Sequence, residues 1–295
     1  MSENFEQLPG DDLQSIIRRA SAYLMQHGIE QGDADAQLLA AHCLTRESGE
    51  DISRGRVHML ALLGHEVPAG FVELVQERAN RVPLQHLTGV AYFRNLQLRV
   101  GPGVFVPRPE TEELVSSVLT YIDERSARPL KIVDLCAGSG AIAAAITQER
   151  PGHDVRAVEL SELAFAWAQQ NLRDTAVQLI LDDATTAFAA EAGTFDVVAS
   201  NPPYIPTNAV PKDPEVRDYD PQMALYGGSE DGMKIPDAIA AHAFDLLKPG
   251  GYFIVEHAET QRDLMVQSLK SHGFIRIESK NDLSGRARHT VGLHP

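Results

Sequence analysis

One buried strand, stopped by two prolines, narrows the possible folds more than any other feature of the chain. Phe195-Asp196-Val197-Val198-Ala199-Ser200 is a short apolar run, and Asn201-Pro202-Pro203-Tyr204 follows it directly. A central strand cannot continue through Pro-Pro, because neither residue supplies the N–H that a sheet ladder needs. The chain must leave the sheet there as a stiff, extended turn whose carbonyls stay free of ladder pairing. Asn201 adds an amide oxygen and nitrogen at the strand's carboxyl end, and Tyr204 adds a flat ring. In open α/β sheets that end is where ligands bind. The turn is therefore suited to gripping a planar NH2 group.

A second local pattern lies upstream. Leu130-Lys131-Ile132-Val133-Asp134-Leu135 reads as a buried strand, Cys136-Ala137-Gly138-Ser139-Gly140 as a glycine turn, and Ala141-Ile142-Ala143-Ala144-Ala145-Ile146 as a helix. Glycine there lets the backbone approach a nucleotide-like ligand closely. The next strand, Val155 to Val158, ends in Glu159, about twenty residues on, where a carboxylate can accept from both ribose hydroxyls. With only two glycines the turn departs from the dinucleotide fingerprint, and the chain has no Gly-Lys-Ser/Thr P-loop. A nucleoside ligand without phosphates fits better. Asp134 is expected to fix the glycine turn, with direct ligand contact as the alternative.

Further strands are expected at 177–181, ending in Asp182-Asp183, and at 251–256, 274–278 and 289–293. Helices are expected at 161–173 and 235–247. The last two strands leave no room for a helix between them, so the sheet should end in an antiparallel pair. Residues 205–234, rich in proline and glycine, read as a long loop that walls or covers the site.

The first eighty-odd residues have another rhythm. Leu13, Ile16, Ile17, Ala20 and Leu24 recur at helical spacing. Gly28 is placed to end that helix, Asp33 to cap a second, Ser53 to start a third ending at Gly64, and Pro68 to open a fourth. The expected organisation is a helical recognition domain over 1–81, a connecting β-hairpin segment over 82–108 turning at Arg94-Asn95, and the sheet domain over 109–295. Glu112 and Glu113 belong to the first turn of a helix, where the dipole favours acids.

The formal net charge of −15 disfavours broad binding to nucleic acid, which needs Lys and Arg against phosphates. Arg78, Arg81, Arg94, Arg99 and Arg108 are dense where the halves meet. They read as solvated surface, with a partner-binding patch as the alternative. No apolar run approaches the ~20 residues of a membrane span. The acidic start does not resemble a secretory signal, and two cysteines give no disulfide framework or cysteine metal site. A cytoplasmic monomer with no metal, no membrane association and no stable nucleic-acid partner is expected.

Together, Asp134, Gly138, Gly140, Glu159, Asp183 and the Asn201–Tyr204 turn resemble a class I S-adenosylmethionine-dependent methyltransferase acting on a planar nitrogen. Pro83-Leu84-Gln85-His86-Leu87-Thr88-Gly89, Val106-Pro107-Arg108-Pro109-Glu110-Thr111-Glu112 and Tyr219-Asp220-Pro221-Gln222-Met223-Ala224-Leu225-Tyr226-Gly227-Gly228 resemble the release factor glutamine methyltransferase family, the HemK or PrmC type. The resemblance spans almost the whole chain. It implies a seven-stranded Rossmann-like sheet, S-adenosylmethionine as cofactor with S-adenosylhomocysteine as product, and class 1 peptide-chain release factors as the protein substrate. The acceptor it implies is the glutamine of their Gly-Gly-Gln motif.

Carried over by position, the resemblance places Asp134, Cys136, Ala137, Gly138, Ser139, Gly140 and Glu159 around the cofactor's methionine and ribose, and Asp183 and Ala184 by its adenine. Asn201 lies by both methyl donor and substrate. Asn201, Pro202, Pro203 and Tyr204 bind the substrate, with Asn201, Pro202 and Tyr204 in the catalytic role. Two residues depart from the pattern: Cys136 stands where many members have glycine, and Ala184 where some carry an aromatic. The competing expectations are an adenine-N6 nucleic-acid methyltransferase, a ribosomal-protein methyltransferase of the sister branch, and a binding module that has lost activity.

Overall fold

The structure, a computed structural model, describes residues 4–125 and 128–295, so residues 1–3 of the acidic start lie outside it. It divides into two compact units. One contains the described residues up to Gly89 together with Lys212–Tyr219. The other contains Val90–Pro211 and Asp220–Pro295.

The first unit is helical. α1 (Leu13–Gln26) buries Leu13, Ile16, Ile17, Ala20 and Leu24, the face its spacing predicts. α2 (Gly32–Ser48) begins before Asp33: Gln31 takes the cap position, and Asp33 contributes only its charge to the first turn. α3 (Arg54–Leu62) starts as expected, with the Ser53 hydroxyl accepting from the Arg56 N–H at 3.2 Å. α4 (Phe71–Ala79) starts later than Pro68, because Gly70 at φ +80° interrupts the helical run. Within the stretch read as extended, Leu84–Thr88 winds into a short helix, α5. Leu13, Leu24, Leu39 and Phe71 are fully buried in this unit's core.

The returning segment adds one more helix, Pro214–Tyr219. Its Glu215 accepts from Arg78 Nη1 and Arg81 Nε, both at 2.8 Å, while Arg78 Nε reaches Asp35 at 2.7 Å. In the second unit Arg94 pairs with Glu149, and Arg108 with Asp220 at 2.6 Å. Four of the five clustered arginines therefore neutralise carboxylates within their own unit, which corrects the reading of them as solvated surface. Their partners are remote in sequence, so local charge density gave no sign of the pairing.

The second unit opens with a hairpin, β1 (Val90–Phe93) and β2 (Leu96–Arg99), turning at Arg94 with φ +52°. α6 (Thr111–Arg125) follows, with Glu112 and Glu113 in its first turn. Next come β3 (Lys131–Leu135), α7 (Ala141–Glu149), β4 (Asp154–Glu159), α8 (Glu162–Leu172), β5 (Gln178–Leu181) and β6 (Phe195–Ser200). The helix Pro214–Tyr219 is α9, and α10 (Gln222–Leu225) stands beside it in what had read as an open loop. The chain closes with α11 (Lys234–Leu246), β7 (Leu247–Glu256), α12 (Arg262–His272), β8 (Ile275–Asn281) and β9 (Ala287–Leu293). No expectation covered α12, which buries only Met265, Ser268 and Leu269 of its length and so shows little apolar periodicity.

Strand order is β5-β4-β3-β6-β7-β9-β8, with β9 antiparallel to both its neighbours. This is the expected seven-stranded layout. Side chains alternate as the pleat requires. Ile132, Val197, Tyr252 and Ile254 face α6 and α7 residues such as Leu114, Val118, Ile142 and Ile146. Val133, Leu135, Val198, Phe253 and Val255 face Ile239, Ala243 and Leu246 of α11 and Met265 and Leu269 of α12. Two helical layers thus cover the sheet, and its carboxyl edge is left to loops.

Candidate active site

The chain runs outward from β3 through β4 to β5, then returns to β6 on β3's other side. Such a reversal opens a crevice at the carboxyl ends of the strands. The sequence-predicted residues fall at the ends of four neighbouring strands, β5, β4, β3 and β6.

On the β3 and β4 side the backbone makes the cradle. Cys136 adopts φ +68° and Gly138 φ +58°. A left-handed backbone favours glycine, so a residue with a Cβ such as Cys136 costs roughly 1–2 kcal/mol there. Burial and the neighbouring Glu159 carboxylate push the Cys136 thiol pKa well up, so at neutral pH it is a protonated, small, weakly polar group. The turn is pinned by Ala137 N–H donating to the Val158 carbonyl and Gly140 N–H to that of Ala137, both at 2.8 Å. Around Gly138 an added Cβ would meet nothing within 4 Å, so its outer face is open to a ligand. Ser139 is buried, and its carbonyl accepts from Asn171 Nδ2 at 2.9 Å.

Asp134 lies fully buried beneath this turn. Its Oδ2 accepts from the Ala143 N–H of α7 at 3.2 Å, while Oδ1 finds no hydrogen-bond partner among the described residues. Burial, with a smaller contribution from Glu159, pushes its pKa up to about 8. Glu159 accepts from Gly138 N–H and Ser161 N–H, each at 2.7 Å. Two of a carboxylate's roughly four acceptor positions remain for other donors. Burial raises the Glu159 pKa, against those N–H groups.

At the β5 end Asp183 is exposed, and Thr185 holds its carboxyl below the usual range through N–H and hydroxyl bonds of 2.8 and 2.7 Å. Ala184 is buried in the core with Leu135 and Val158, so its methyl offers no ring platform. The apolar surface here comes from residues that sequence reasoning missed: Leu160, 52% exposed, and Leu181, 45%, the latter in register with Glu159. Two large apolar side chains left open at neighbouring strand ends suit a flat base. Leu160 just past β4 and Leu181 as the last residue of β5 were the available signal.

Taken together, an orphaned buried carboxyl oxygen, an open glycine turn, a half-used carboxylate and an apolar wall fit an uncharged nucleoside with a cationic tail.

On the β6 side, Ser200 Oγ donates to the Leu135 carbonyl at 2.6 Å, which ties the two strand ends together. Asn201 Nδ2 donates to Thr111 Oγ1 at 3.2 Å, and Thr111 Oγ1 donates to Glu256 Oε2 at 2.7 Å. Pro202 is buried, while Asn201, Pro203 and Tyr204 are half-buried. Burial pushes the Tyr204 hydroxyl pKa up, so it stays protonated. The turn's exit is clamped: Tyr204 and Ile205 N–H both donate to Leu225 O, and Gln261 Nε2 donates to the Tyr204 carbonyl at 2.7 Å. Gly232 packs so closely that an added Cβ would stand 2.1 Å from the Tyr204 carbonyl oxygen. Gly227 N–H donates to the Ile205 carbonyl at 2.9 Å. The 219–228 motif and the proline turn are therefore one packed structure. Thr111 and Glu256 were not singled out by sequence reasoning.

Among the described residues, no group of three or more His, Cys, Asp or Glu side chains could hold a metal ion, and no helix is long and apolar enough to cross a membrane.

Residues 15–89 match the family model for the PrmC N-terminal domain, and residues 96–213 match that for the methyltransferase small domain. A release factor glutamine methyltransferase of Bifidobacterium longum is 43% identical, covering 94% of this chain and 98% of its own. A 4-amino-L-phenylalanine/4-methylamino-L-phenylalanine methyltransferase of Streptomyces pristinaespiralis is 35% identical over 84% of each chain. Among solved structures, a methyltransferase from Pyrococcus furiosus superposes with a TM-score of 0.50 at 20% identity, covering 68% of this chain and 90% of that one. That last likeness speaks for the fold alone.

Proposed function

The chain belongs to the release factor glutamine methyltransferase family, and from that premise we propose how its crevice carries out the family's reaction. The chain is an S-adenosylmethionine-dependent protein-(glutamine-N5) methyltransferase. Its substrate is the side-chain amide of the glutamine in the Gly-Gly-Gln motif of class 1 peptide-chain release factors, and its action supports translation termination. One observation carries the assignment of roles: the Asn201 turn and the glycine turn end adjacent parallel strands, tied by the Ser200–Leu135 hydrogen bond. Methyl donor and acceptor thereby meet at one sheet edge.

When bound, S-adenosylmethionine supplies a methyl group activated by a sulfonium. Gly138, Ser139 and Gly140 with Asp134, Cys136 and Ala137 receive its methionine part, Glu159 its ribose, and Asp183 and Ala184 with the Leu160 and Leu181 walls its adenine. An amide nitrogen is a weak nucleophile, since its lone pair is delocalised into the carbonyl. The protein's task is alignment and charge placement. Asn201 Oδ1 and the Pro202 carbonyl each accept one N–H of the substrate amide and hold its nitrogen in line with the S–CH3 bond. Positioning of this kind lowers a barrier by several kcal/mol, of order 7–11 at most. The same two acceptors stabilise positive charge as it develops on nitrogen. Transfer would form the N–CH3 bond at the expense of the donor's S–CH3 bond, with Asn201 Oδ1 and the Pro202 carbonyl holding the amide until its extra proton passes to water. Pro203 stiffens the turn, and the Tyr204 ring packs on the amide plane.

The helical unit selects the protein substrate; of the expected connecting segment 82–108, residues up to Gly89 belong to that unit and the hairpin from Val90 to the other. In this reading the enzyme works as a monomer in the cytoplasm, where release factors act, without stable nucleic-acid or membrane partners.

The experiment is transfer of labelled methyl to a purified release factor, to the same factor with the Gly-Gly-Gln glutamine changed to alanine, to an oligonucleotide and to 4-amino-L-phenylalanine. Label on the intact factor alone is expected. Label on the altered factor, the oligonucleotide or the amino acid would overturn the glutamine assignment in favour of another nitrogen.

A further inference from the structure

The run Arg108-Pro109-Glu110-Thr111-Glu112 marked the family resemblance without acquiring a chemical task. The structure gives Thr111 one. Thr111 opens α6, is buried, and lies between the Asn201 amide and the Glu256 carboxylate, residues 90 and 145 positions away in sequence. Glu256 ends β7 and is itself 2% exposed. His289 of β9, in register with it, places Nε2 3.6 Å from the same Oε2.

The polarity of this relay follows from donor and acceptor counts. A carboxylate only accepts, and a hydroxyl has a single proton. With Glu256 Oε2 at 2.7 Å, that proton points to the carboxylate, so Thr111 Oγ1 can offer Asn201 only a lone pair. The Asn201 side chain must then turn its NH2 toward Thr111, which it meets at 3.2 Å. Its oxygen is left facing away, free to accept. An asparagine amide is nearly symmetric in shape, and packing alone would leave its two orientations similar. Flipped, it would present NH2 to the substrate's NH2, two donors face to face.

From this we infer that Thr111 and Glu256 are positioning residues: the buried carboxylate, acting through the threonine hydroxyl, sets which end of the Asn201 amide faces the methyl acceptor. The inference rests on the role given above to Asn201 Oδ1. It also explains why the run that supplies Thr111 accompanies the proline turn in this chain.

Three substitutions test it in the full-length enzyme, with saturating cofactor and a release factor as acceptor. Thr111→Val keeps the shape and removes the hydroxyl, so kcat should fall by about tenfold or more, as for loss of a hydrogen bond serving a charged group. Thr111→Ser restores the hydroxyl and should recover kcat to within about threefold of wild type. Glu256→Gln adds a donor that can face Thr111, releases the hydroxyl proton toward Asn201, and should lower kcat several-fold. Cofactor Kd should stay close to wild type in all three, while Thr111→Val, which takes a donor from the buried Glu256 carboxylate, should also lower Tm. Full kcat in Thr111→Val, failure of serine to rescue, or parallel loss of cofactor binding would overturn the inference. Asn201→Ala, run alongside, separates the two readings. If it retains turnover, the role of Asn201 itself fails; if it is inactive while Thr111→Val is not, only the relay fails.

Discussion

The two sides of the crevice are built by different means. The side we assign to the methyl donor is made largely of backbone: left-handed residues at Cys136 and Gly138, and a carboxylate, Glu159, that accepts from the N–H of Ser161 two residues on and from that of Gly138 in the glycine turn. The acceptor side is made of side chains brought from afar, with Thr111, Glu256, Gln261 and Gly232 holding the proline turn. A site built from short loops at three neighbouring strand ends can bind a common cofactor on many scaffolds. Orienting a particular nitrogen needs supports from several layers of the fold, and it is there that this chain differs from a generic cofactor binder.

Substitutions that break one side while sparing the other sharpen this contrast. The largest effect is expected from Asn201→Ala, which removes a preorganised acceptor. Turnover should fall about a hundred- to a thousandfold, with cofactor Kd, measured by titration, changed by no more than about threefold. Equal loss of both would show that the two sides are not separable.

Next comes a pair of glycines. Gly232→Ala puts a methyl 2.1 Å from the Tyr204 carbonyl at φ +73°, and should cost about 2–4 kcal/mol in denaturant unfolding, with turnover lost as Tyr204 is displaced. Gly138→Ala meets nothing within 4 Å. In denaturant unfolding of the cofactor-free protein it should cost only the backbone term of roughly 1–2 kcal/mol, its methyl occupying the face left open for the cofactor.

A smaller effect, confined to the donor side, is expected for Glu159→Gln. Hydrogen bonds to a charged acceptor are lost, so cofactor Kd should rise about tenfold while kcat at saturation holds. A fall in kcat with unchanged Kd would place Glu159 in the acceptor's machinery instead.

A further effect is read as a slope against pH. Asp134 has its pKa raised from 3.8 to about 8, chiefly by burial. Between those values the native state keeps a proton that the unfolded chain has released, so this group lowers stability as pH rises from about 4 to 8. Asp134→Asn can still accept from Ala143 and removes the titration. Its Tm relative to wild type should therefore improve steadily from pH 5 to pH 8 in cofactor-free protein. An unchanged difference across that range would show that the carboxyl titrates normally.

The same contrast explains what the sequence disclosed. The strand at 130–135, the glycine turn, Glu159 and the Asn201 turn were legible because each is a local pattern whose meaning lies within a few residues. The antiparallel end of the sheet followed from the short final connection, and the seven-stranded layout from the family resemblance. Asp33 and Pro68 misled as helix starts because Gly32 and Gly70 set the boundaries. α12 escaped because little of it is buried. Thr111, Glu256 and the arginine pairings were invisible for a single reason: their partners lie scores of residues away, and only folding brings them within hydrogen-bond reach.

The helical unit is also not one continuous piece of chain. Lys212–Tyr219 belongs to it, and carries the Glu215 that both Arg78 and Arg81 bind. A gene fragment cut after Gly89 would strip those guanidiniums of a shared carboxylate, leaving the buried Arg78 with Asp35 as its ion-pair partner and Arg81 with no carboxylate among the described residues. Breaking an ion pair of this depth on one side costs about 3–5 kcal/mol. Grafting the helical unit onto another catalytic domain therefore means transplanting two segments, the second inserted within the host's loop after its proline turn.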